Sequence, residues 1–390
     1  MTRSTNRQLI LSGGLSMITT REVKTRKEIK LFLDFPAKLY KGCEWFVPPF
    51  YGDEKKMFTK NCPYKNTCEY TFFLAFKDKE VVGRIGVILQ RQSNELRKEN
   101  RVRFTRFDSI DDVEVAKALF NAIEVWALSK GMDTVCGPLG FNDLEREGLL
   151  IEGFEQLGTF EEQYNYPYYQ KLIEACGYGK EVDWLEHKLY RPDNYNPRFK
   201  QLAEALMKKY NLHYVYYKSK TKYINHYKDQ IFELLDTSYG PLYQTVPFTA
   251  DAKKSIISSF KLAIDMDYVY TVADENDKIV CWGFGMPTMS KAVQKSNGKL
   301  TPGCIVRLLK AIKHPDVIDL CLIGVRPEYL NTGVAAALIS RSLEHLYSID
   351  RVKYFETNLN LENNTRILSC WKLFKVDQNK RRRAFVKVLK

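Results

Sequence analysis

The residues around Gly333 have the types and spacing of an anion-binding turn. The apolar run at residues 318–325 predicts a buried strand, and Pro327 marks its end because proline cannot continue a central strand. Asn331 and Thr332 have side chains that cap helices, and the alanine-rich run after them favours a helix. Glycine lets a ligand approach unpaired amides where the helix dipole is positive. The sequence therefore predicts a phosphate-binding turn here.

A second strand-helix unit follows this turn. Residues 352–359 predict another strand, and Asn363 and Asn364 precede a helix that runs through Trp371. The last segment, residues 383–389, alternates apolar and polar side chains, which is typical of a half-buried strand. The C-terminal part of the chain thus reads as strand, turn, helix, strand, helix and closing strand.

Together these segments resemble the GNAT superfamily of N-acetyltransferases. In that superfamily a strand, a Val-x-Pro sequence and an Arg/Gln-x-x-Gly-x-Gly/Ala turn bind the pyrophosphate of acetyl-CoA. Here Val325 and Pro327 stand at the Val-x-Pro positions, and Gly333 and Ala335 stand at the turn positions. Leu330 occupies the Arg/Gln position, which removes one contact but leaves the backbone donors.

The next motif of the superfamily keeps its spacing here while its chemistry changes. Its Asn, Ala, Leu, Tyr and Phe positions are occupied by Asn364, Ile367, Cys370, Trp371 and Val376. Trp371 replaces a tyrosine that often serves as general acid, and Lys375 replaces a glycine. A water molecule or Tyr354 would then have to supply the proton, or the protein binds CoA without fast chemistry.

The resemblance implies acetyl-CoA or another acyl-CoA as cosubstrate. Its pyrophosphate would lie on the amides of residues 331–335, and its pantetheine arm would pair with the backbone of residues 322–325. A strand amide would stabilise the charge that develops on the thioester oxygen. The implied contacts are Leu322, Ile323, Val325, Leu330, Asn331, Thr332, Gly333, Val334, Ala335, Asn364 and Trp371.

An amine acceptor must lose a proton before or during acyl transfer. Asp319 and Glu356 lie on the two adjoining predicted strands, and Tyr239 and Tyr243 lie in the loop that lines the acceptor site in the superfamily. Together with Tyr354, these are the candidate proton-transfer groups. Each has an alternative interpretation as a structural residue.

The composition is that of an ordinary folded protein. A chain of 390 residues allows two or three domains, and 27% charged residues with 45% hydrophobic ones do not favour disorder. Since no run of eighteen apolar residues exists, neither a transmembrane helix nor a membrane partner is expected. Nine scattered cysteines and five histidines lack zinc spacing, so we expect a reduced, cytoplasmic protein without a metal.

The net charge of +13 raises the question of nucleic acid. Lysine and arginine are nevertheless spread along the whole chain, and the one tight cluster, residues 380–383, falls in a predicted hairpin turn. A solvated turn is the first interpretation of that cluster. A basic rim that attracts the phosphates of CoA and an RNA-binding surface are the alternatives.

The whole chain is expected to be a mixed α/β protein of two tandem GNAT folds, each a mostly antiparallel sheet flanked by helices. Residues 1–16 would be a flexible extension, 17–190 the first domain, 191–197 a linker with two prolines, and 198–390 the second domain. Phrases in the first half resemble large bacterial two-domain GNAT-like proteins. That half lacks the glycine turn and has Asp108, Asp111 and Asp112 instead, whose charges would repel a pyrophosphate.

The function expected from the resemblance is N-acyl transfer from acyl-CoA to a small-molecule or peptide amine, with the C-terminal half catalytic. One alternative is a non-catalytic CoA-binding or structural protein. Another is an aminoacyl-tRNA-dependent transferase of the peptidoglycan-bridge type, which also pairs two GNAT folds. The sequence leaves the acceptor and the oligomeric state open.

Overall fold

The computed structural model describes residues 17–194, 196–261 and 263–389, so the expected extension at residues 1–16 lies outside the described residues. The strands are β1 (Ile18–Glu22), β2 (Cys68–Lys77), β3 (Glu80–Gln90), β4 (Arg101–Ser109), β5 (Thr134–Gly137), β6 (Leu149–Glu152), β7 (Gly179–Tyr190), β8 (His213–Tyr214), β9 (Val269–Ala273), β10 (Ile279–Pro287), β11 (Val317–Val325), β12 (Tyr354–Thr357), β13 (Asn360–Leu361) and β14 (Lys375–Val388).

Helices are interspersed with these strands along the chain. They are α1 (Arg26–Leu39), α2 (Tyr51–Lys56), α3 (Arg91–Arg97), α4 (Val113–Ser129), α5 (Tyr169–Ala175), α6 (Pro197–Lys209), α7 (Lys220–Tyr239), α8 (Ala250–Phe260), α9 (Ser290–Gln294), α10 (Pro302–Lys313), α11 (Ala335–Ser348) and α12 (Thr365–Trp371). Within the described part of the chain, no helix has the length and apolar character needed to cross a bilayer.

The strands form one sheet that runs through both halves of the chain. Its order is β1-β2-β3-β4-β5-β14-β7-β12-β11-β10-β9-β8, with β6 paired to β14 and β13 paired to β7. The pairs β4–β5 and β11–β12 are parallel, and the other pairs are antiparallel. The predicted mixed, mostly antiparallel sheet flanked by helices is therefore confirmed.

The two halves exchange strands at the centre of this sheet. The last strand of the chain, β14, lies between β5 and β7, so that Phe385 pairs with Gly137 and Lys375 pairs with Tyr190. Strand β7 in turn pairs with β12 of the second half, where Phe355 faces Leu189. Each half is thus completed by a strand that the other half supplies.

The basic cluster at residues 380–383 lies in the middle of β14, so the predicted hairpin turn is wrong. Lys380 is 1% exposed and Arg382 is fully buried. Strand β7 supplies the opposite charges, since Arg382 Nε lies 2.6 Å from Glu186 Oε1 and Arg383 Nε lies 2.8 Å from Asp183 Oδ1. A turn assignment from local composition could not include partners that are about two hundred residues away in sequence.

The same unit of strand, helix and parallel strand occurs in both halves. Helix α4 follows β4 and buries Val115, Leu119 and Ile123, whose spacing of four residues places them on one face. Helix α11 follows β11 in the same way and packs its buried side against the sheet and against α6. The start of a helix in such a unit can bind an anion where its first amides are free.

Candidate functional site

The turn between β11 and α11, residues 326–334, presents unpaired amides at the start of a 14-residue helix. The amides of Thr332 and Val334 are bonded, to Tyr329 O at 3.2 Å and to Thr332 Oγ1 at 3.3 Å. Among the described residues, the amides of Asn331 and Gly333 have no acceptor, and that of Ala335 is one of the orphan donors of the first helical turn. The predicted anion site is thus a cluster of free donors.

Gly333 has a φ of +81°, a backbone conformation that other residues rarely adopt. A β-carbon at this position would lie 3.3 Å from Leu206 Cδ1 of α6. Glycine is therefore required by the backbone, and the space beside it is bounded by α6.

A cation that sequence reasoning missed lies next to the turn. The Arg366 guanidinium, near the start of α12, is 3.5 Å from Asn331 Oδ1 and is exposed. Leu330, at the Arg/Gln position of the motif, is 41% exposed and offers no charge. Arg366 follows Asn364 by two residues, and no local pattern distinguishes it from other surface arginines.

Strands β11 and β12 separate beyond their four paired residues. Pairing runs from Val317–Tyr354 to Leu320–Thr357, after which β12 ends and β11 continues to Val325. On its other side, β11 remains paired with β10 through Val325. The backbone of residues 322–325 therefore borders a gap in the strand pairing that ends at the turn, and α7 contacts this edge where Ser238 Oγ donates to Val325 O at 3.1 Å.

Tyr239, at the end of α7, contacts the edge of this gap. The amide of Ile323 donates a hydrogen bond to Tyr239 Oη at 3.2 Å. Burial raises the pKa of Tyr239 to about 12, so its hydroxyl is neutral and retains its proton. The predicted candidate Tyr239 and the predicted contact Ile323 thus meet at one point.

A β-bulge lies where the gap begins. The register of β10 with β11 passes from Phe284–Leu322 to Gly285–Leu320 and skips Cys321. The Cys321 thiol contacts Asp319 O at 3.4 Å and Glu161 Oε1 at 3.9 Å. Burial, with the nearby Glu161 and Asp319 carboxyls, holds the pKa of this thiol well above its usual range.

Glu161 comes from the first half of the chain, in the loop between β6 and α5, and sequence reasoning missed it. Burial raises its pKa to about 7, although the hydrogen bond from the Cys321 thiol and the charge of Arg146 act to lower it. A carboxylate with a pKa near neutrality can accept a proton at physiological pH and release it again. Because its partner Cys321 is 160 residues away, the sequence gives no local signal for it.

The predicted candidates Asp319 and Glu356 face each other across β11 and β12. Asp319 is 4% exposed, and neither of its carboxyl oxygens has a hydrogen-bond partner. Burial, then the charges of Glu356 and Glu161, raise its pKa well above the usual range. This environment favours the protonated form of Asp319 and makes it a poorer candidate for the base than Glu161.

Glu356 is held in a buried ion pair. Its Oε1 accepts hydrogen bonds from Asn379 Nδ2 at 2.8 Å and Lys380 Nζ at 2.5 Å. Lys380 also lies 3.3 Å from Glu186 Oε2 of β7. Glu356 therefore connects β12 to the exchanged strand, and this pairing favours the structural interpretation of the residue.

Three further predicted residues have structural contacts. Tyr354, at the start of β12, packs its ring 5.2 Å from that of Tyr190, and its pKa is raised by burial. Trp371 is buried, and its Nε1 donates to Asn360 Oδ1 at 3.3 Å. The Asn364 side chain caps α12 by accepting from the Ile367 amide. None of these contacts brings the three side chains into the gap.

The equivalent position in the first half is closed by its own side chains. Asp112 caps α4 by accepting from the Glu114 amide at 3.0 Å. Asp108 is buried against the Arg84 guanidinium at 2.8 Å and accepts from Tyr40 Oη. A carboxylate thus already satisfies the start of α4, where α11 has free amides. Across the described residues, no group of three or more His, Cys, Asp and Glu side chains is arranged to hold a metal.

The sequence matches no protein-family model. It is 26% identical over 374 residues to Protein YghO of Escherichia coli strain K12, covering 94% of this chain and 94% of that protein. It is 25% identical over 317 residues to Bacterial ceramide synthase of Caulobacter vibrioides, covering 79% of this chain and 80% of that protein.

Two solved structures resemble this one over most of its length. A tandem GNAT protein from the clavulanic acid biosynthesis pathway superposes with a TM-score of 0.53 at 11% identity, covering 95% of this chain and 98% of that one. A GCN5-related glucosamine N-acetyltransferase region of a fungal multi-domain protein gives a TM-score of 0.53 at 10% identity, covering 95% and 38%. At such identities the likeness concerns the fold.

Proposed function

Because this chain has the tandem GNAT fold that its motifs predicted, we propose that it is an N-acyltransferase, with the reaction in its C-terminal half. The proposal is carried by four features that lie one after another along β11 and the turn that follows it, which we call the track. These features are the free amides of the turn, the edge of β11 that has no strand partner, the bulge at Cys321 and the Glu161 carboxylate beside that bulge.

The track has the chemistry needed to bind an acyl-CoA. The amides of Asn331, Gly333 and Ala335 and the Arg366 guanidinium are donors for a pyrophosphate. The backbone edge at residues 322–325 can pair with the amides of a pantetheine arm once the Tyr239 and Ser238 hydroxyls release the Ile323 amide and the Val325 carbonyl. The capped start of α4 supports the assignment of acyl-CoA to the second half.

The proposed reaction joins the amine nitrogen to the thioester carbonyl carbon and breaks the carbon–sulfur bond. Glu161 takes the proton that the nitrogen loses, since its pKa of about 7 suits that role. The Tyr239 hydroxyl supplies a proton to the departing thiolate, and the proton on Glu161 then returns through solvent to the Tyr239 phenolate, which restores both groups. Asp319, whose buried environment favours its protonated form, is not assigned the role of base.

The name of one relative suggests an acceptor to test first. A ceramide is the amide of a fatty acid with a long-chain amino alcohol, so the relative called Bacterial ceramide synthase suggests that class of amine. Because this relative is 25% identical, the long-chain amino alcohol is proposed as the acceptor of this chain and is to be tested. Long-chain acyl-CoA would then be the donor to compare with acetyl-CoA.

The proposal is tested by calorimetric titration with acetyl-CoA and palmitoyl-CoA, followed by product analysis with a long-chain amino alcohol. We expect Gly333→Trp to abolish acyl-CoA binding and Arg366→Glu, at an exposed position, to weaken it. Gly52→Trp is the matched control, because a side chain at Gly52 meets open space. If the parent binds no acyl-CoA, the proposal is wrong; binding without turnover of any amine would support the non-catalytic alternative.

A further inference from the structure

Helix α10 carries apolar side chains on its outer face as well as on its inner one. Cys304 and Leu308 are fully buried, as expected of a helix that packs on the core. Ile305, Val306 and Leu309 are 42%, 66% and 51% exposed, and together they form a continuous strip at spacings of three and four residues. We call these three residues the outer strip.

The outer strip is bordered by cations and by no acid of its own helix. Residues 302–313 contain three basic residues and no Asp or Glu. Lys310 and Lys313 are exposed, and neither forms an ion pair with any described residue. Arg307 is turned inward, where its Nη2 contacts Ser296 Oγ at 2.5 Å. The free positive charges therefore lie beside the outer strip.

The segment that carries α10 is fixed to both halves of the protein. Gln294 Nε2 donates to Glu44 O at 2.9 Å and to Phe46 O at 3.0 Å, and the Tyr51 amide donates to Gly298 O at 2.9 Å. The exposure of the outer strip is thus a property of an anchored helix and does not come from a loose loop.

From these contacts we infer that α10 is a peripheral docking element for an anionic lipid surface. Exposed apolar side chains enter the interfacial region of a bilayer, and unpaired lysines beside them are attracted to anionic headgroups. The expectation of no membrane partner rested on the lack of a spanning segment, and surface binding does not need one. A protein partner of this face would need acidic groups at matching positions, whereas a lipid surface supplies charge at any spacing.

The position of α10 connects this surface with the proposed reaction. Leu308 on its inner face belongs to the same hydrophobic cluster as Cys321 of the bulge and Met286 of β10. A docked α10 would therefore hold that cluster against the lipid surface, where a long-chain amine would be found. The docking inference rests on the outer strip alone and stands whether or not the protein transfers acyl groups.

The test is cosedimentation of the full-length protein with vesicles of phosphatidylcholine and phosphatidylglycerol at 7:3, and with phosphatidylcholine alone. We expect binding to the anionic vesicles and a loss of more than tenfold in V306D/L309D. V125D/L128D is the matched control, because Val125 and Leu128 of α4 are 59% and 50% exposed at the same spacing. K310A/K313A should lose about fivefold in binding for each lysine at low salt, and this loss should vanish at high salt.

The inference is wrong if the parent binds neither kind of vesicle, or if the α10 and α4 variants lose binding equally. Sedimentation velocity without lipid gives a second readout. A parent dimer that V306D/L309D converts to monomer, with no vesicle binding, would mean that a second copy covers the outer strip. Because no outcome depends on turnover, failure of the acyl-transfer proposal would leave this test unchanged.

Discussion

Asp319 and Glu356 are direct neighbours across β11 and β12, yet only Glu356 has a cationic partner. Lys380 of the exchanged strand pairs with Glu356, whereas burial and the neighbouring Glu356 charge raise the pKa of Asp319. Two neighbouring carboxyls thus differ in their ion pairing because of Lys380, which lies on β14. The relationship makes both the stability and the pH response of this region testable.

Replacing Lys380 should be strongly destabilising. Lys380→Met leaves Glu186 and Glu356 buried without their shared cation, and loss of one partner of a buried pair costs about 3–5 kcal/mol. Urea unfolding measures the free energy, with Lys353→Met as the control because the Lys353 side chain is 70% exposed. A loss of under about 1 kcal/mol would contradict the buried ion pair.

Asp319→Asn should stabilise the protein at high pH. The pKa of Asp319 is higher in the folded than in the unfolded chain, so the folded state binds more protons and loses stability as pH rises above the unfolded value. Asparagine removes this penalty. Urea unfolding should give the variant a higher free energy of unfolding than the parent at pH 8. This difference should shrink towards pH 4. A difference in unfolding free energy that does not change with pH would contradict the raised pKa of Asp319.

Glu161→Gln should lower kcat by about 10²–10⁴-fold if Glu161 is the general base. The acidic limb of the kcat/KM profile, expected near the Glu161 pKa of about 7, should disappear with it. Acyl-CoA binding should not change. Glu155→Gln, an exposed residue of the same loop, is the control. An unchanged profile in the Glu161 variant would assign the base elsewhere.

Tyr239→Phe should separate catalysis from stability. The variant leaves the Ile323 amide without its acceptor, which costs about 1–3 kcal/mol, and removes the proposed proton donor. Tyr243→Phe is the matched control, because its hydroxyl donates to Glu181 Oε2 at 2.6 Å and its loss is also a buried defect. We expect similar unfolding free energies and a lower kcat only at position 239. Equal kcat values would remove Tyr239 from the reaction.

The turn and the strands beside it could be predicted because their signals are local. An apolar run, Pro327 and Gly333 lie within sixteen residues, and the structure places free amides where this pattern indicated. The helix begins at Ala335, two residues after the glycine. Local sequence also identified the absence of such a turn at Asp112, whose side chain caps α4.

The buried polar groups could not be predicted in the same way. Glu161 contacts Cys321, which is 160 residues away in sequence. Lys380 pairs with Glu186 and Glu356, which are 194 and 24 residues away. Sequence composition assigned the Lys380 segment to solvent because lysine and arginine are seldom buried without partners. Only the sheet order shows that the partners exist.

The place of β14 between β5 and β7 also determines when the sheet can be completed during translation. The N-terminal half leaves the ribosome with this central position vacant, and the strand that fills it is translated after all the other described strands. At about 5–20 residues per second, the roughly two hundred residues between β7 and β14 take on the order of 10–40 s. During that interval the nascent chain exposes two strand edges to chaperones and to neighbouring chains on the same polysome.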